Sequence, residues 1–265
     1  MNLNLSIIVV TYNCSAYIER FLNGLFDSLV EYDQYEVLLN DNSSKDDTYS
    51  LCEKFNSPFK GAFILSKSDN IGFAKANNML INRAIYDNVL LLNPDVFEFK
   101  QFFWNSLIQK WDKTNPIIVK LLNEDLTIQE NVGDELSIKR RLKRISGRSK
   151  NLAYSNTTIE VESGIMAFVL ITRRCLFDVG LLSEDYFMYA EDHDWFFRAR
   201  RKGYHIIFEP SLELIHTGGG SAQSKWNSGQ LKKVKSEMEV VFIKKYFRGP
   251  EKFVLLTMNW IQKFI

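Results

Sequence analysis

The stretch Leu90-Leu91-Leu92-Asn93-Pro94-Asp95-Val96 decides how the rest of this chain is read. It is an apolar run that stops on an amide and a carboxylate. Tyr86-Asp87-Asn88-Val89 before it reads as a turn, and Phe97 to Lys110 after it reads as a helix. An apolar run without alternation suits a strand buried on both faces of a sheet. A carboxylate at the carboxyl end of such a strand lies where open α/β sheets bind ligands. Asp95 there can hold a divalent cation, and a cation can hold a diphosphate. The turn chemistry of Asn-Pro-Asp explains the same residues with no ligand at all. The stretch alone leaves both readings open.

Upstream, strands and helices alternate. Leu5 to Val10 is a buried strand ending in Thr11-Tyr12-Asn13, and Ala16 to Leu29 carries apolar residues at helical spacing. Tyr35 to Leu39 is a second strand, ending in Asn40-Asp41-Asn42-Ser43-Ser44-Lys45-Asp46-Asp47-Thr48, with a helix over Tyr49 to Phe55. Gly61 to Leu65 is a third, followed by Asn70-Ile71-Gly72-Phe73-Ala74-Lys75-Ala76-Asn77-Asn78 and a helix through Ile85. This alternation predicts a Rossmann-like, mostly parallel sheet flanked by helices. Right-handed crossovers bring the polar strand ends to one edge, where Thr11, Asn13, Asp41 and Asp95 converge. Singly, each has a plainer role as helix cap, solvated turn or turn glycine. Those roles do not account for all of them falling on one edge.

Composition narrows the class. The chain has 265 residues, 46% hydrophobic and 25% charged, enough for one large α/β domain with a sizeable core. A formal net charge of +1 gives no global affinity for polyanions such as nucleic acid. Cys14, Cys52 and Cys175 are widely spaced with no CxxC, which argues against a disulfide framework or zinc site and for a reducing compartment. Met1 to Leu5 lacks a basic leader region, and no run approaches a membrane span. The expectation is a cytoplasmic protein, with peripheral contact at the inner face of the cytoplasmic membrane left open.

The second half is less regular. Ile117 to Leu121 reads as a strand. Lys139 to Lys150 carries seven Lys or Arg in twelve residues: either a flexible solvated loop or a segment that meets phosphates or lipid headgroups. Glu162 to Ile171 reads as one apolar strand, with Gly164 permitting close approach of a ligand or of backbone. Arg173 to Val179 is a short helix. Tyr186 to Arg200 holds Glu191, Asp192 and Asp194 at a helix start among aromatics. The helix dipole explains acids there, but a cluster in a cleft also raises a carboxyl pKa as a general base requires. His193 reads as structural. After a strand over Tyr204 to Phe208, His216 precedes Thr217-Gly218-Gly219-Gly220-Ser221, a loop histidine or a nitrogen ligand for the cation at Asp95. There is no GxGxxG and no GxxxxGK[ST], so dinucleotide and P-loop readings fail. Leu231, Val234, Met238, Val241 and Phe242 form a helical stripe beside many lysines, and Phe253 to Ile265 is an apolar tail with Trp260 and Phe264. The tail packs on the core or a second subunit, or lies on a membrane.

Seven of these stretches, taken in order from Ser6 to Ser221, resemble the inverting family 2 glycosyltransferases of GT-A fold. The likeness is greatest to rhamnosyltransferase-like members that build bacterial O-antigen, capsule and other surface polysaccharides. The resemblance implies a GT-A domain over 1–222, with a nucleotide-binding half (1–96) and an acceptor-binding half (97–222). Residues 223–265 are then a C-terminal helical extension for membrane-surface or dimer contact. It implies that Thr11, Asn13 and Asp41 hold base and ribose, Asp41 accepting from a pyrimidine ring N–H. It implies that Asn70, Gly72, Ala74, Asn93 and Gly164 line the nucleotide-sugar pocket. Asp95 and His216 are implied ligands of Mg²⁺ or Mn²⁺. Asp192 is the implied general base, with Asp194 and Glu191 beside it. The implied reaction moves a sugar, rhamnose from dTDP-rhamnose by first expectation, to a hydroxyl of a lipid-linked glycan. A UDP-hexose or UDP-HexNAc donor stays open, as does a homodimer.

Two departures stand out. Asn93-Pro94-Asp95 replaces the family's Asp-x-Asp, one carboxylate fewer. Glu184-Asp185 after Leu181-Leu182-Ser183 stands where members often have Gly-Phe-Asp-Glu, which leaves the acceptor open. A sugar-1-phosphate nucleotidyltransferase needs an early glycine-rich loop, and residues 1–20 have no glycine. A non-catalytic nucleotide-sugar or partner-binding protein is set against the intact cluster at Asp192.

Overall fold

A computed structural model describes residues 2–55, 62–147, 151–218 and 228–261. Four strands, β1 (Asn2–Thr11), β2 (Asp33–Asp41), β3 (Ala62–Lys67) and β4 (Asn88–Leu92), alternate with α1 (Ile18–Leu29), α2 (Thr48–Lys54) and α3 (Phe73–Ile81). All four are parallel, in the order β3-β2-β1-β4. Thr11 pairs in register with Asp41, and Asp41 with Lys67, so these strand ends share one edge as expected. α1 buries Ile18, Phe21, Leu22, Leu25, Phe26 and Leu29, the face its spacing announced.

Beyond Leu92 the chain departs from the run read as one strand. Pro94 cannot donate to a ladder, and Asn93 to Asp95 form a turn closed by Val96 N–H donating to the Asn93 carbonyl (3.3 Å). β5 (Val96–Phe97) then joins the far edge of the sheet. The next helix, α4 (Phe103–Lys110), starts six residues later than expected, after Phe102 takes a left-handed φ of 65°.

The second half extends the same sheet through β6 (Ile117–Leu122), β10 (Phe168–Thr172) and β11 (Ile206–His216). β10 lies between β4 and β6 and is antiparallel to both. An unbroken apolar run fits a two-sided strand in either direction, so direction was not in the pattern. β6 and β11 run parallel to each other, leaving β10, β5 and the short β8 (Ile159–Val161) as the antiparallel members. The single strand expected over Glu162 to Ile171 is two: β9 (Ser163–Gly164), paired with β7 (Val132–Gly133), and β10. The strand expected over Tyr204 to Phe208 runs on through Pro210 to His216 as β11, whose register shifts between Glu209 and Glu213. The basic segment is a helix, α5 (Ile138–Ile145), rather than a flexible loop; residues 148–150 lie outside the described chain.

α6 (Arg173–Val179) and α7 (Glu191–Arg201) pack on one face of the sheet. α1 and α4 pack on the other, and that core joins residues of both expected halves, from Leu3 to Leu214. α8 (Ser228–Tyr246) and α9 (Gly249–Ile261) form the C-terminal extension. Phe242, Ile243, Phe247 and Leu255 make a third cluster there with Tyr186, Ala190 and Phe197. Gly61 and Phe264, at the ends of expected elements, fall outside the described residues.

Candidate active site

A cavity of about 890 Å³ opens at the carboxyl edge of the parallel strands. Its centre is set by one strand pairing. β5 is antiparallel to β11 with Val96 opposite His216, which brings His216 beside Asp95. The Thr217 amide donates to the Asp95 carbonyl (3.1 Å) and locks the two segments together. Both Asp95 and His216 are 6% exposed.

Gln129 determines the state of this histidine. Its amide nitrogen donates to Asn123 Oδ1 (3.1 Å) and to the His216 carbonyl (3.3 Å), which turns Oε1 toward His216 Nδ1 at 2.6 Å. Nδ1 must therefore carry a proton, and in the neutral ring Nε2 presents a lone pair. Nε2 lies 3.2 Å from Asp95 Oδ1 without the alignment of a hydrogen bond. A carboxylate oxygen and an imidazole lone pair at that separation repel unless a cation stands between them. The donor set, one carboxylate and one imidazole nitrogen oriented from behind by an amide, fits a divalent cation completed by substrate oxygens and water. Among the described residues no third His, Cys, Asp or Glu joins them.

Across the cavity lies the start of α7. Tyr189 and Ala190 both have φ of 69°, a left-handed pair without glycine. Such residues cost about 1–3 kcal/mol each and persist only where the surroundings impose them. Ala190 is buried in the third cluster, and Lys235 of α8 stands over the Tyr189 ring (4.8 Å). This kink presents Glu191, Asp192 and His193 to the cavity. Glu191 is 6% exposed, its Oε2 has no hydrogen-bond partner, and burial followed by the neighbouring Asp192 charge pushes its carboxyl well above the usual range. Asp192 is half-buried, and its Oδ1 accepts from the His193 amide (2.7 Å). His193 shares a 2.6 Å hydrogen bond with Ser163 Oγ.

Asp194, grouped with these acids by sequence, does not line the cavity. It is fully buried and accepts from Arg198 Nε (2.7 Å), Tyr186 Oη (3.1 Å) and Tyr246 Oη (2.8 Å), with Lys245 Nζ at 2.9 Å. Both oxygens are occupied. Its surroundings are those of an anchor joining α7 to α8, not of a proton acceptor open to substrate.

At the other end of the cavity the wall is Val10, Tyr12, Asn42, Asn70 and Gly72. Thr11, Asn13 and Asp41 are not on it. Asp41 is fully buried, accepting from Thr11 Oγ1 (3.2 Å) and from the Ser44 amide (3.0 Å). Asn13 accepts from the Lys45 amide (2.8 Å). These three stitch the first two strand-end loops together and aim Tyr12 and Asn42. Asn42 in turn donates to Asn70 Oδ1 (3.3 Å) and accepts from the Ile71 amide (3.1 Å). Gly72, at φ +86°, is required by close approach: a Cβ there would stand 2.7 Å from the Phe187 carbonyl. Ala74 is packed in the core beneath. Gly164 is also absent from the wall; a Cβ would meet Ile118 Cδ1 at 2.5 Å and the Asn131 carbonyl at 3.2 Å, so packing against these two residues, not a ligand, favours the glycine. Asn93 does line the cavity, its amide tied to the Ala167 carbonyl (2.9 Å). Gly219, Gly220 and Ser221 lie outside the described residues.

Sequence reading missed the roof. Arg140 and Arg141 of α5, with Lys235 and Glu239 of α8, close over the cavity, and Arg141 is paired with Glu239. It also missed Gln129, an isolated amide whose role depends on meeting a residue 87 positions away.

Solved structures share this arrangement of sheet and helices. A mannosyltransferase from Pyrobaculum calidifontis, solved with GDP-Man and Mn²⁺, aligns over 98% of this chain and 69% of its own, with TM-score 0.63 and 16% identity. S. aureus TarS residues 1–349 with UDP align over 98% of this chain and 71% of that one, with TM-score 0.57 and 18% identity. The fold is therefore the GT-A type of glycosyltransferases. In sequence, the low-salt glycan biosynthesis hexosyltransferase Agl10 of Haloferax volcanii is 26% identical over 80% of this chain and 67% of its own length. The N-acetylglucosaminyl-diphospho-decaprenol L-rhamnosyltransferase of Mycobacterium tuberculosis is 25% identical over 80% of this chain and 75% of its own. The family model described as Glycosyl transferase family 2 matches residues 6–171, more than half of the chain, which belongs to that family and is a glycosyltransferase.

Proposed function

We propose that the protein is an inverting, metal-assisted transferase that moves a sugar, rhamnose from dTDP-rhamnose in the first instance, from a nucleoside diphosphate to a hydroxyl of a lipid-linked glycan. It works in the cytoplasm at the inner face of a membrane, in synthesis of a surface polysaccharide such as O-antigen or capsule. One observation carries the reading: Glu191 Oε2, His216 Nε2 and Thr217 Oγ1 are buried without hydrogen-bond partners, and all belong to residues that line the same cavity. Unsatisfied buried polar atoms are rare in folded proteins, and three around one cavity mark a place for a polar ligand. The rhamnosyltransferase and hexosyltransferase relatives support the donor class and the lipid-linked acceptor.

Tyr12, Asn42 and Asn70 hold the base and ribose, on a loop shaped by Thr11, Asn13 and Asp41. Asp95 and His216 would hold Mg²⁺ or Mn²⁺, which would supply positive charge for the departing diphosphate. Burial pushes the Glu191 carboxyl up, toward its protonated form, and Asp192, half-buried on the cavity lining, is the carboxylate assigned to the acceptor. Asp192 takes the proton of the acceptor hydroxyl, whose oxygen attacks the anomeric carbon opposite the diphosphate. The carbon–phosphate-oxygen bond breaks as the new glycosidic bond forms, and configuration inverts. Arg140 and Lys235 at the roof face the acceptor side.

Calorimetric titration of dTDP and UDP, with Mn²⁺ and then EDTA, tests the reading. Binding that collapses in EDTA and in Asp95→Ala supports it and selects the base. Binding indifferent to metal removes the roles of Asp95 and His216. Asp192→Asn is expected to lower kcat by about 10²–10⁴ with nucleotide affinity unchanged.

A further inference from the structure

We infer that α5 and α9 together form a docking surface for an anionic lipid bilayer. The outer face of α9 is the starting observation. Phe253, Val254, Thr257, Trp260 and Ile261 are exposed along one side of it, at spacing i, i+1, i+4, i+7 and i+8, and Gly249, Pro250 and Glu251 are exposed in its first turn. The inner side is fixed: Leu255 and Asn259 are buried, and Asn259 Oδ1 accepts from Ser236 Oγ of α8 (2.8 Å). A surface helix ordinarily turns its polar side to water. Here the packed side holds an asparagine and the open side carries Phe253, 73% exposed, and Trp260, 59% exposed.

α5 packs beside α9 and adds the charge. Lys139, Leu142, Lys143 and Ile145 are exposed on it, while Arg141 is buried against Glu239. Of the six Lys or Arg in the two helices, Arg140 and Arg141 turn to the cavity, while Lys139 and Lys143 are exposed and Lys252 is half-buried; the single acid is Glu251. Cations beside exposed aromatic and aliphatic side chains match the boundary between anionic headgroups and acyl chains. Among the described residues no helix is long and apolar enough to cross a membrane, so the contact is interfacial. A second copy of the chain suits this face poorly, because a self-paired surface would set the cations of α5 against themselves.

The inner side of α5 contributes Arg140 and Arg141 to the roof of the active-site cavity. Docking would hold the cavity beside the headgroups, where a lipid-linked acceptor is presented. That purpose rests on the proposed acceptor; the surface itself does not.

The test is flotation of the full chain with vesicles of phosphatidylglycerol and phosphatidylcholine, against phosphatidylcholine alone. Lys139→Glu with Lys143→Glu forms one variant, and Phe253→Ser with Trp260→Ser the other. The expected result is binding to the anionic vesicles, weakened by salt, and lowered about tenfold or more by each pair. Titration with dTDP or UDP keeps wild-type affinity in both variants, which excludes misfolding and separates this result from any failure of the donor reading. The inference is overturned if anionic vesicles do not bind the chain, if neither pair changes binding, or if the chain is a dimer in solution whose formation the Phe253/Trp260 pair abolishes.

Discussion

With Gln129 holding Nδ1, a change at position 129 frees the His216 ring to turn and to exchange tautomers. Groups that orient a metal-bound histidine from behind are typically worth about 10–100-fold in metal affinity. Gln129→Leu is therefore expected to weaken Mn²⁺-supported nucleotide binding by about that factor, leaving metal-free binding unchanged. Equal loss with and without metal would show that Gln129 merely supports the fold. Glu191 makes a different prediction. Its folded carboxyl is raised above an ordinary 4.5 by burial, so the folded chain holds a proton that the unfolded chain has released. Folding then takes up a proton, and stability falls as pH rises through that window. Glu191→Gln removes the dependence. Melting curves should place the variant a few degrees above the wild type at pH 8 and level with it near pH 4. A uniform offset at both pH values would sink the assignment.

At the scale of elements, the acidic helix is held by what surrounds Asp194. α7 alone supplies Arg198; α8 supplies Lys245 and Tyr246, and the preceding loop supplies Tyr186. Burial first, then Asp194, pushes both phenols up, so they remain donors. Lys245 also binds Asp185 (2.7 Å), and Asn78 of α3 donates to Glu184 (3.1 Å) and the Leu182 carbonyl (2.9 Å). The Glu184–Asp185 departure is thus a tether for the loop before α7. Asp194→Ala is expected to cost about 3–5 kcal/mol in urea denaturation, as for a buried ion pair broken on one side. Tyr246→Phe should cost about 1 kcal/mol. A loss under about 1 kcal/mol for Asp194→Ala would mean that α7 is positioned without this network. None of this was legible in the sequence, because a carboxylate among carboxylates looks the same whether its partners are substrate or residues 52 positions downstream. The parallel strands and their shared edge were legible, since apolar runs ending in polar residues encode both burial and direction of approach; Asp95 with His216 stood as one of two open readings, and the structure sets the two side chains 3.2 Å apart. Thr11, Asn13 and Asp41 were placed one residue off the wall: strand ends announce a loop, but only packing decides which of its side chains faces in.

The whole molecule divides along lines of packing. The two clusters flanking the sheet contain no residue of α8 or α9, whereas the third is built by these helices against Tyr186, Ala190 and Phe197. The sheet core therefore closes without the extension, and the left-handed Tyr189–Ala190 kink does not, since Ala190 packs in the third cluster and Lys235 covers Tyr189. Ending the chain at residue 222 should leave a protein that melts cooperatively and binds dTDP or UDP with metal, because the Asp95–His216 pair and the Tyr12–Asn42 wall rest on the sheet. It should also bind hydrophobic dye and transfer no sugar. Exposed aromatics of the third cluster explain the dye, and a relaxed kink that no longer aims Asp192 explains the lost transfer. If the shortened chain fails to fold, the extension belongs to the core and the division at 222 is wrong. If it folds and still transfers sugar, the kink is held by the sheet and its loops alone, and the left-handed pair must be imposed instead by the Phe187 carbonyl, which accepts from the Phe73 amide and lies close against Gly72.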